Sequence, residues 1–387
     1  MRKFRFIKTV CLISVLLTAV LSACSKSDPA GPEPGPGPEP GPGPEPGPVV
    51  ESPANCYIIS KAGDYRIQAV KGNSREPVGE VSAVEVLWET FGTDTAPQPG
   101  DLIAQVSYDS DKNTIAFSTG AEFLKGNAAI AAKDAEGTIL WSWHIWMTDQ
   151  PKDQVYNNGA GTMMDRNLGA TSATPGDAGA LGLLYQWGRK DPFPGASSIS
   201  ENIEAKSTFN LWPRSTMFFE GMSIDYTIQN PTKLIQGWDG RDDWLPTEDG
   251  SVDNTRWQAE KTIYDPCPAG YRVPDGGENG VWAKAFGTTS DFKEVYDGTN
   301  KGFNFGSSGE SEYKLTEDPD CWYPFAGEYY RGASTLSEVG KYFTCWSCTT
   351  QDERVGVLLN TVYNEIRPSF MSKYRITAVS VRCMKDE

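Results

Sequence analysis

The residues of this chain that could carry chemistry are few. Its 387 residues include one histidine, His144. Ser-His-Asp catalysis would have to use that one ring, and His-rich zinc sites are excluded. Because a lone histidine in a tryptophan-rich strand usually serves packing, we predict a structural role for His144.

A Cys-x-x-Cys pair, Cys345 and Cys348, has three interpretations. We favour a structural disulfide or a strained loop, with metal ligation and redox chemistry as alternatives. Thioredoxin-type activity needs the pair at a helix N-terminus, which lowers the pKa of one thiol. The flanking residues 342–344 and 349–350 instead indicate a strand, so we predict no catalysis at either cysteine.

The composition excludes one broad class of partner. The chain has 35 Lys and Arg against 51 Asp and Glu, a formal charge of −16. A surface this acidic repels phosphate backbones, so no nucleic-acid partner is expected. The 39 Gly and 27 Pro indicate many turns and short strands.

The N-terminus predicts export and lipidation. Residues 1–8 are basic, and residues 9–20 form an apolar run too short to span a bilayer. Leu21-Ser22-Ala23-Cys24 resembles a bacterial lipobox. We therefore predict a lipoprotein signal peptide over 1–24 and a lipid anchor at Cys24, which makes the outer membrane a partner through that anchor. An ordinary cleaved signal is the alternative.

A linker follows over residues 25–48. The sequence GPEPGP occurs three times in residues 31–48, so every second residue is proline and neither helix nor ladder can form. At about 3.1 Å per residue, this segment reaches up to roughly 55 Å. We expect it to lift the folded part off the membrane.

Residues 49–150 are predicted to form an antiparallel β-sandwich, because apolar residues alternate with polar ones between turn clusters. In the last strand, Trp141, Trp143, Ile145 and Met147 share one face, and we expect them to pack in the core rather than stack on sugars. The predicted strands are Cys56–Ser60, Tyr65–Val70, Ala83–Trp88, Ile103–Tyr108, Thr114–Ser118, Ala128–Lys133 and Thr138–Trp146.

Residues 160–387 have a different sequence pattern, in which long loops rich in Gly, Asn, Asp and Ser lie between short apolar strands. We predict helices over Gly179–Gly188 and around Gly280–Phe286. A loop-rich stretch of this length needs covalent or packing constraints to hold it.

Four ordered motifs in this second half carry a family resemblance. They resemble the Fibrobacter succinogenes major paralogous domain, found in surface lipoproteins of the Fibrobacter–Bacteroides group, over residues 160–386. One departure is Cys345-Trp346-Ser347-Cys348, where the family usually has Tyr-Trp-Ser-Ser/Ala. Residues 49–148 resemble the β-domain that precedes this module. The motifs are Asp165-Arg166-Asn167-Leu168-Gly169, Gly182–Gly188, Asp265–Pro274 and Val379–Asp386.

The resemblance implies an α+β, loop-rich, C-type-lectin-like domain. In that fold the first and last strands lie side by side, which implies a Cys267–Cys383 disulfide. Cys321, Cys345 and Cys348 allow at most one bridge among themselves, and Cys56 is expected to be a small buried hydrophobe. The fold also includes formylglycine-generating enzymes, so such an oxidase is an alternative activity.

The resemblance also implies where a ligand would bind, since long loops form the binding surface of lectin-like folds. The longest such stretch runs from Gly195 to Thr262. We predict ligand contacts at its Trp238, Asp239, Asp243 and Trp244, where flat rings and planar polar groups suit sugars. Calcium binding there is an alternative, but the lectin-type calcium signatures are absent. Residues 317–320 resemble them only loosely. We expect neither a metal nor a cofactor.

The function these observations favour is that of a surface-exposed, lipid-anchored outer-membrane lipoprotein. It is predicted to be non-catalytic and adhesin-like, binding a glycan or a host or partner protein through its C-terminal head. An accessory or tip subunit of a fimbrial assembly is the first alternative, and the oxidase is the second.

Overall fold

The first half of the chain forms the strands that its alternating pattern predicts. The computed structural model describes residues 52–208, 214–215, 223–236, 243–245, 253–286, 295–307, 314–351, 355–362 and 365–386. All seven predicted strands are present, with small differences at their ends. They are β1 (Cys56–Ile59), β2 (Asp64–Gln68), β3 (Ala83–Thr90), β4 (Ile103–Asp109), β5 (Thr114–Thr119), β6 (Gly126–Lys133) and β7 (Ile139–Met147).

These strands form two sheets in a sandwich-like arrangement. One sheet has the order β1-β7-β6-β3 and the other β2-β5-β4. Ile67 and Ile115 of the second sheet meet Ile130 and Trp143 of the first in one core. The parallel pairing of β1 with β7 departs from the antiparallel sandwich predicted. The next strand along the chain, β2, belongs to the opposite sheet, so β1 pairs with a strand distant in sequence rather than forming a hairpin with its neighbour.

Strand β7 is buried on both faces, which accounts for its near-continuous apolar sequence. Every second side chain from Trp141 to Met147 points into the sandwich-like core, as predicted. On the opposite face Trp146 packs in a second core with Trp187 and Trp257. The tryptophans of this strand therefore serve packing.

His144 lies on that second face of β7 and is only 3% exposed. Its Nε2 atom is 2.9 Å from Asn127 Oδ1. Burial lowers the pKa of His144 to about 3, so the ring is neutral at physiological pH. This enclosed, neutral ring agrees with the structural role that we predict.

The second half consists of short strands, long connections and three longer strands near its end. They are accompanied by 3-10 turns at Asn157–Gly159, Ala178–Ala180 and Tyr330–Gly332. The strands are β8 (Asp153–Tyr156), β9 (Gly161–Met164), β10 (Leu184–Gln186), β11 (Arg214–Ser215), β12 (Leu234–Ile235), β13 (Tyr271–Arg272), β14 (Tyr296–Asp297), β15 (Gly302–Asn304), β16 (Trp322–Pro324), β17 (Tyr342–Thr350), β18 (Val355–Val362), β19 (Glu365–Tyr374), β20 (Ala378–Ser380) and β21 (Met384–Lys385).

The end of the chain returns to the beginning of this half. Strand β21 lies between β13 and β9 in a sheet of order β13-β21-β9-β8. The predicted disulfide between Cys267 and Cys383 is present, and its Cα atoms are 5.9 Å apart. The other described sheets have the orders β10-β20-β17-β18-β19, β14-β15-β16 and β11-β12.

Two short α-helices belong to the described residues, α1 (Ile224–Gln229) and α2 (Val281–Phe286). Helix α2 confirms the prediction around Gly280–Phe286, whereas α1 was not predicted. The helix predicted over Gly179–Gly188 is wrong, because that segment forms a 3-10 turn and then β10, which pairs with β20. Gly182 separates the two with a φ of +74°, a left-handed conformation that favours glycine.

None of the helices that the structure describes is long and apolar enough to cross a lipid bilayer.

The two halves share buried contacts within one compact unit. The Asn55 side chain donates to the carbonyl oxygens of Ile263 and Asp265 at 2.7 and 2.8 Å. Lys190 Nζ donates to Ser142 Oγ at 2.6 Å, and both side chains are buried. The boundary between domains at residues 150–160 stays a prediction.

Candidate functional site

Of the four ligand contacts predicted in the 195–262 stretch, the structure describes Asp243 and Trp244, and neither is exposed. Trp238 and Asp239 lie outside the described residues, as does Cys24. Trp244 is only 2% exposed, and its indole N–H donates to the Trp187 carbonyl oxygen at 2.7 Å. The expectation that Trp244 is a solvent-facing stacking platform is therefore wrong.

Asp243 and Trp244 instead hold two buried arginines. The Asp243 carboxylate accepts hydrogen bonds from Arg256 at 2.5 Å and from Arg375 at 3.3 Å. The Arg256 guanidinium lies 4.3 Å from the Trp244 ring centroid, and Arg375 lies 4.4 Å from that of Trp187. Two buried cations need a carboxylate and aromatic faces around them. The role of Asp243 and Trp244 is therefore structural.

A cleft elsewhere in the second half is the better candidate. It has a volume of about 370 Å³ and lies between the beginning of β8, the 173–175 loop and the 318–320 loop. We call it the acidic cleft, because four carboxylates line it. Its polar lining residues are Lys152, Asp153, Gln154, Asp165, Thr174, Asp318, Asp320 and Trp322.

Backbone pairing brings these distant residues together. Asp165 directly follows β9, and its N–H donates to the Lys152 carbonyl at 2.9 Å. Gln154, in β8, donates its side-chain N–H to the Asp320 carbonyl at 2.5 Å. Asn304, at the end of β15, donates to the Asp320 carboxylate at 3.0 Å. The sheet thus supplies one wall, and a loop held by Gln154 and Asn304 supplies another.

Two of the four carboxylates have cationic partners. Arg166 donates to both oxygens of Asp165 at 2.8 and 3.1 Å. Asp153 accepts from Lys385 at 2.5 Å and from the Tyr271 hydroxyl at 2.6 Å. Partial burial works to raise the pKa of Asp153, but these two bonds outweigh it and hold the pKa below its ordinary value.

The hydrogen bonds found for the other two carboxylates come from neutral groups. Asp318 accepts from the Thr316 hydroxyl at 3.3 Å, and Asp320 from the Asn304 amide. Lys152 also lines the cleft, and its side chain is exposed. The lining of the cleft therefore carries more negative than positive charge.

Two buried side chains that line the cleft each have one polar atom without a partner. Gln154 is 4% exposed and Trp322 is 3% exposed. Gln154 Oε1, an acceptor, and Trp322 Nε1, a donor, make no hydrogen bond within the protein. A buried polar group without a partner costs roughly 1–3 kcal/mol. Such atoms indicate a place where water or a ligand completes the bonding.

A second cavity of about 290 Å³ lies between the sandwich-like half and α1. Trp141, Ile228 and Tyr264 supply much of its apolar lining, and Lys71, Asp134 and Asp225 its charges. No lining residue of this cavity is among the described side chains with an unpartnered buried polar atom. We therefore favour the acidic cleft as the binding site.

The cysteine pair in β17 does not form the disulfide that we favoured from the sequence. Cys345, Cys348, Cys321 and Cys56 are all free and buried. Cys345 and Cys348 lie in a strand, as predicted, and residues three apart in a strand point to opposite faces. Cys345 accordingly packs in the core around Tyr323, and Cys348 in the core around Trp187. Among the described residues no group of three His, Cys, Asp or Glu side chains could hold a metal ion.

Burial raises the pKa of every described free thiol, to about 11 for Cys321 and about 12 for Cys345. We expect none of them to react with an aromatic disulfide reagent in the folded, lipid-free protein at neutral pH, and all to react after unfolding in urea. One fast-reacting thiol in the folded protein would contradict this.

The same thiols make stability depend on pH. Their folded-state pKa values exceed the unfolded value of about 8.5, so their contribution is complete below that pH. It is lost as the pH rises toward 11 and 12, because the unfolded thiols ionise first. The free energy of unfolding measured in urea should therefore fall as the pH rises across this range. A rise in that free energy would contradict the prediction.

Comparison of the chain with family models, with curated proteins and with solved structures finds no match.

Proposed function

We propose that this chain is a lipid-anchored outer-membrane lipoprotein that binds a glycan or a partner protein at the cell surface through its C-terminal half. It is not an enzyme, and its binding site is the acidic cleft. The observation that carries this proposal is the cleft itself, where loops and strands distant in sequence converge around carboxylates and two unpartnered buried atoms.

The arrangement of the C-terminal half supports the assignment of this chain to the Fibrobacter succinogenes major paralogous domain family, with a C-type-lectin-like fold. The last strand, β21, lies between β13 and β9 in the sheet whose edge strand is β8, the first strand of this half, and Cys383 is bonded to Cys267 shortly before β13. A last strand that shares a sheet with the first strand under a disulfide resembles the side-by-side arrangement that the sequence resemblance implies.

The chemistry of the described residues favours binding over catalysis. The thiols of Cys321 and Cys345 are enclosed and held protonated at neutral pH. His144 is enclosed and neutral. The acidic cleft, by contrast, opens to solvent beside the exposed Asp320 and Thr174. Hydrogen-bond acceptors on a preformed surface suit recognition of a polar ligand.

The lipid anchor is tested by Cys24→Ala. We expect this variant either to leave the membrane fraction or to keep its signal peptide uncleaved, because Cys24 is the acceptor of the lipid. The measurement is fractionation with mass determination, and Cys56→Ala serves as a control that keeps the anchor. Normal processing and membrane fractionation of Cys24→Ala would refute the anchor.

Binding through the cleft is tested on a glycan array and against purified host surface proteins. The lipid-free protein is compared with Thr174→Trp, which places a bulky ring on the cleft wall. Thr95→Trp, an equally exposed position in the sandwich-like half, is the matched control. We expect Thr174→Trp to reduce binding to background and Thr95→Trp to leave it unchanged. Equal binding by all three proteins would place the site elsewhere.

A further inference from the structure

We propose that the acidic cleft binds a ligand through a protonated primary amine, and that this ammonium group lies between Asp318 and Asp320. The inference rests on the proposed function, because it takes the cleft as the binding site. It adds the chemical class of the group that is recognised.

The charge of the cleft favours a ligand with a positively charged group. Asp165 and Asp153 are already paired with Arg166 and Lys385. Asp318 and Asp320 receive hydrogen bonds from a hydroxyl and an amide, and the single positive charge of Lys152 in the cleft wall does not balance both carboxylates. An ammonium group adds a charge–charge attraction to its hydrogen bond with a carboxylate, which a neutral donor does not supply. The second pair of carboxylates is thus the better place for a positive group than for a neutral hydroxyl.

The spacing of the carboxylates favours an organic cation over a metal ion. Calcium takes 6–8 oxygen ligands at about 2.3–2.6 Å, which requires side chains to converge on one point. No three acidic or other metal-binding side chains among the described residues converge in this way. The four carboxylates instead line a cleft of about 370 Å³, a volume within the range of pockets for small organic ligands.

The two unpartnered atoms indicate which other polar groups the ligand would carry. Gln154 Oε1 accepts a hydrogen bond, so it can take an N–H of the same ammonium group or a hydroxyl. Trp322 Nε1 only donates, so it needs an oxygen. A ligand that carries an amine beside a hydroxyl or carbonyl oxygen meets both needs. An amino sugar and a lysine residue in a peptide both have this chemistry.

Matched probes that differ only in charge test the proposal. One pair is a glucosamine trisaccharide with free amines and the same trisaccharide fully N-acetylated. The other is a blocked tri-lysine peptide and its ε-acetylated form. Binding to the lipid-free protein is measured by calorimetry at mildly acidic pH, where the amines are protonated. We expect the free-amine member of at least one pair to bind about tenfold more tightly.

The variants locate the effect. Asp318→Asn with Asp320→Asn should abolish the advantage of the free amine, because it removes both negative charges. Asp318 is half-buried and Asp320 is exposed, so the change leaves the core intact. Asp94→Asn with Asp111→Asn removes the same charge from exposed positions in the sandwich-like half and should keep the advantage. The source of the amine follows from which pair, glycan or peptide, shows the difference.

Several results would overturn the proposal. If the control variant loses the advantage as fully as the cleft variant, the amine is attracted by the overall negative charge. If acetylated and free probes bind alike, and binding still depends on Thr174, the cleft recognises a neutral group and the proposed function stands. If no probe and no array ligand depends on the cleft, the proposed function fails together with the inference.

Discussion

Replacing Cys267 and Cys383 together by alanine is expected to lower the free energy of unfolding by about 4–5 kcal/mol. The bridge joins residues 116 positions apart. Opening so long a loop restores conformational freedom to the unfolded chain, and the loss of stability grows with the logarithm of loop length. It also frees β21 from its position beside β13.

Urea unfolding of the oxidised lipid-free protein measures this loss. Cys345→Ala with Cys348→Ala is the matched control, because it removes two buried sulfur atoms without breaking a bridge. We expect the control to lose much less stability, and a reductant to destabilise the parent protein but not the Cys267→Ala, Cys383→Ala variant. Equal losses in the two variants, or no effect of the reductant on the parent, would contradict the structural role of the bridge.

Replacing Trp244 by alanine should cost about 3–5 kcal/mol of folding free energy. The change leaves a cavity in the core and removes the ring against which the Arg256 guanidinium packs. It also leaves the Trp187 carbonyl oxygen without its indole donor. An exposed ligand platform at this position would predict the opposite, a loss of binding at unchanged melting temperature.

Two controls separate these possibilities. Trp244→Phe keeps a ring against Arg256 and should recover much of the loss. Tyr330→Ala removes a ring that is 46% exposed and should change the melting temperature little. If Trp244→Ala melts at the temperature of the parent protein, then the buried position of Trp244 is wrong.

The strands of the sandwich-like half could be predicted because the residue pattern that specifies each of them is local. Each strand shows alternation of period two, and turn residues such as Asp134 and Gly137 separate β6 from β7. The parallel partner of β1 was not predictable in this way. Its pairing depends on which sheet the chain enters next, and no short-range pattern records that.

The segment from Gly179 to Gly188 shows why the helix prediction failed. Its apolar run has about the length of a short helix, and periodicity alone cannot separate that from a buried strand. The deciding contact is the pairing of β10 with β20, almost 200 residues further along the chain. Tertiary pairing overrides local preference at such a position.

The candidate site was predictable only in part. The motif that begins at Asp165 and the acidic residues 317–320 both stood out in the sequence, yet nothing local joins them to Gln154. The prediction that Trp244 is exposed failed for the same reason. Neighbouring aspartates suggested a solvated loop, whereas Trp187, which accepts the Trp244 indole N–H, lies 57 positions away, and Arg375, a partner of Asp243, lies 132 positions away. Burial through such distant partners cannot be predicted from residues 238–244 alone.

The central claim is that ligands bind at the acidic cleft. The most direct test is hydrogen–deuterium exchange of the lipid-free protein with and without a saturating ligand, either the tightest-binding array glycan or the free-amine probe. We predict slower exchange in segments 152–154, 173–175 and 318–322, and unchanged exchange at 224–236 and 253–262. Protection confined to 224–236 and 253–262, with the cleft segments unchanged, would contradict the account.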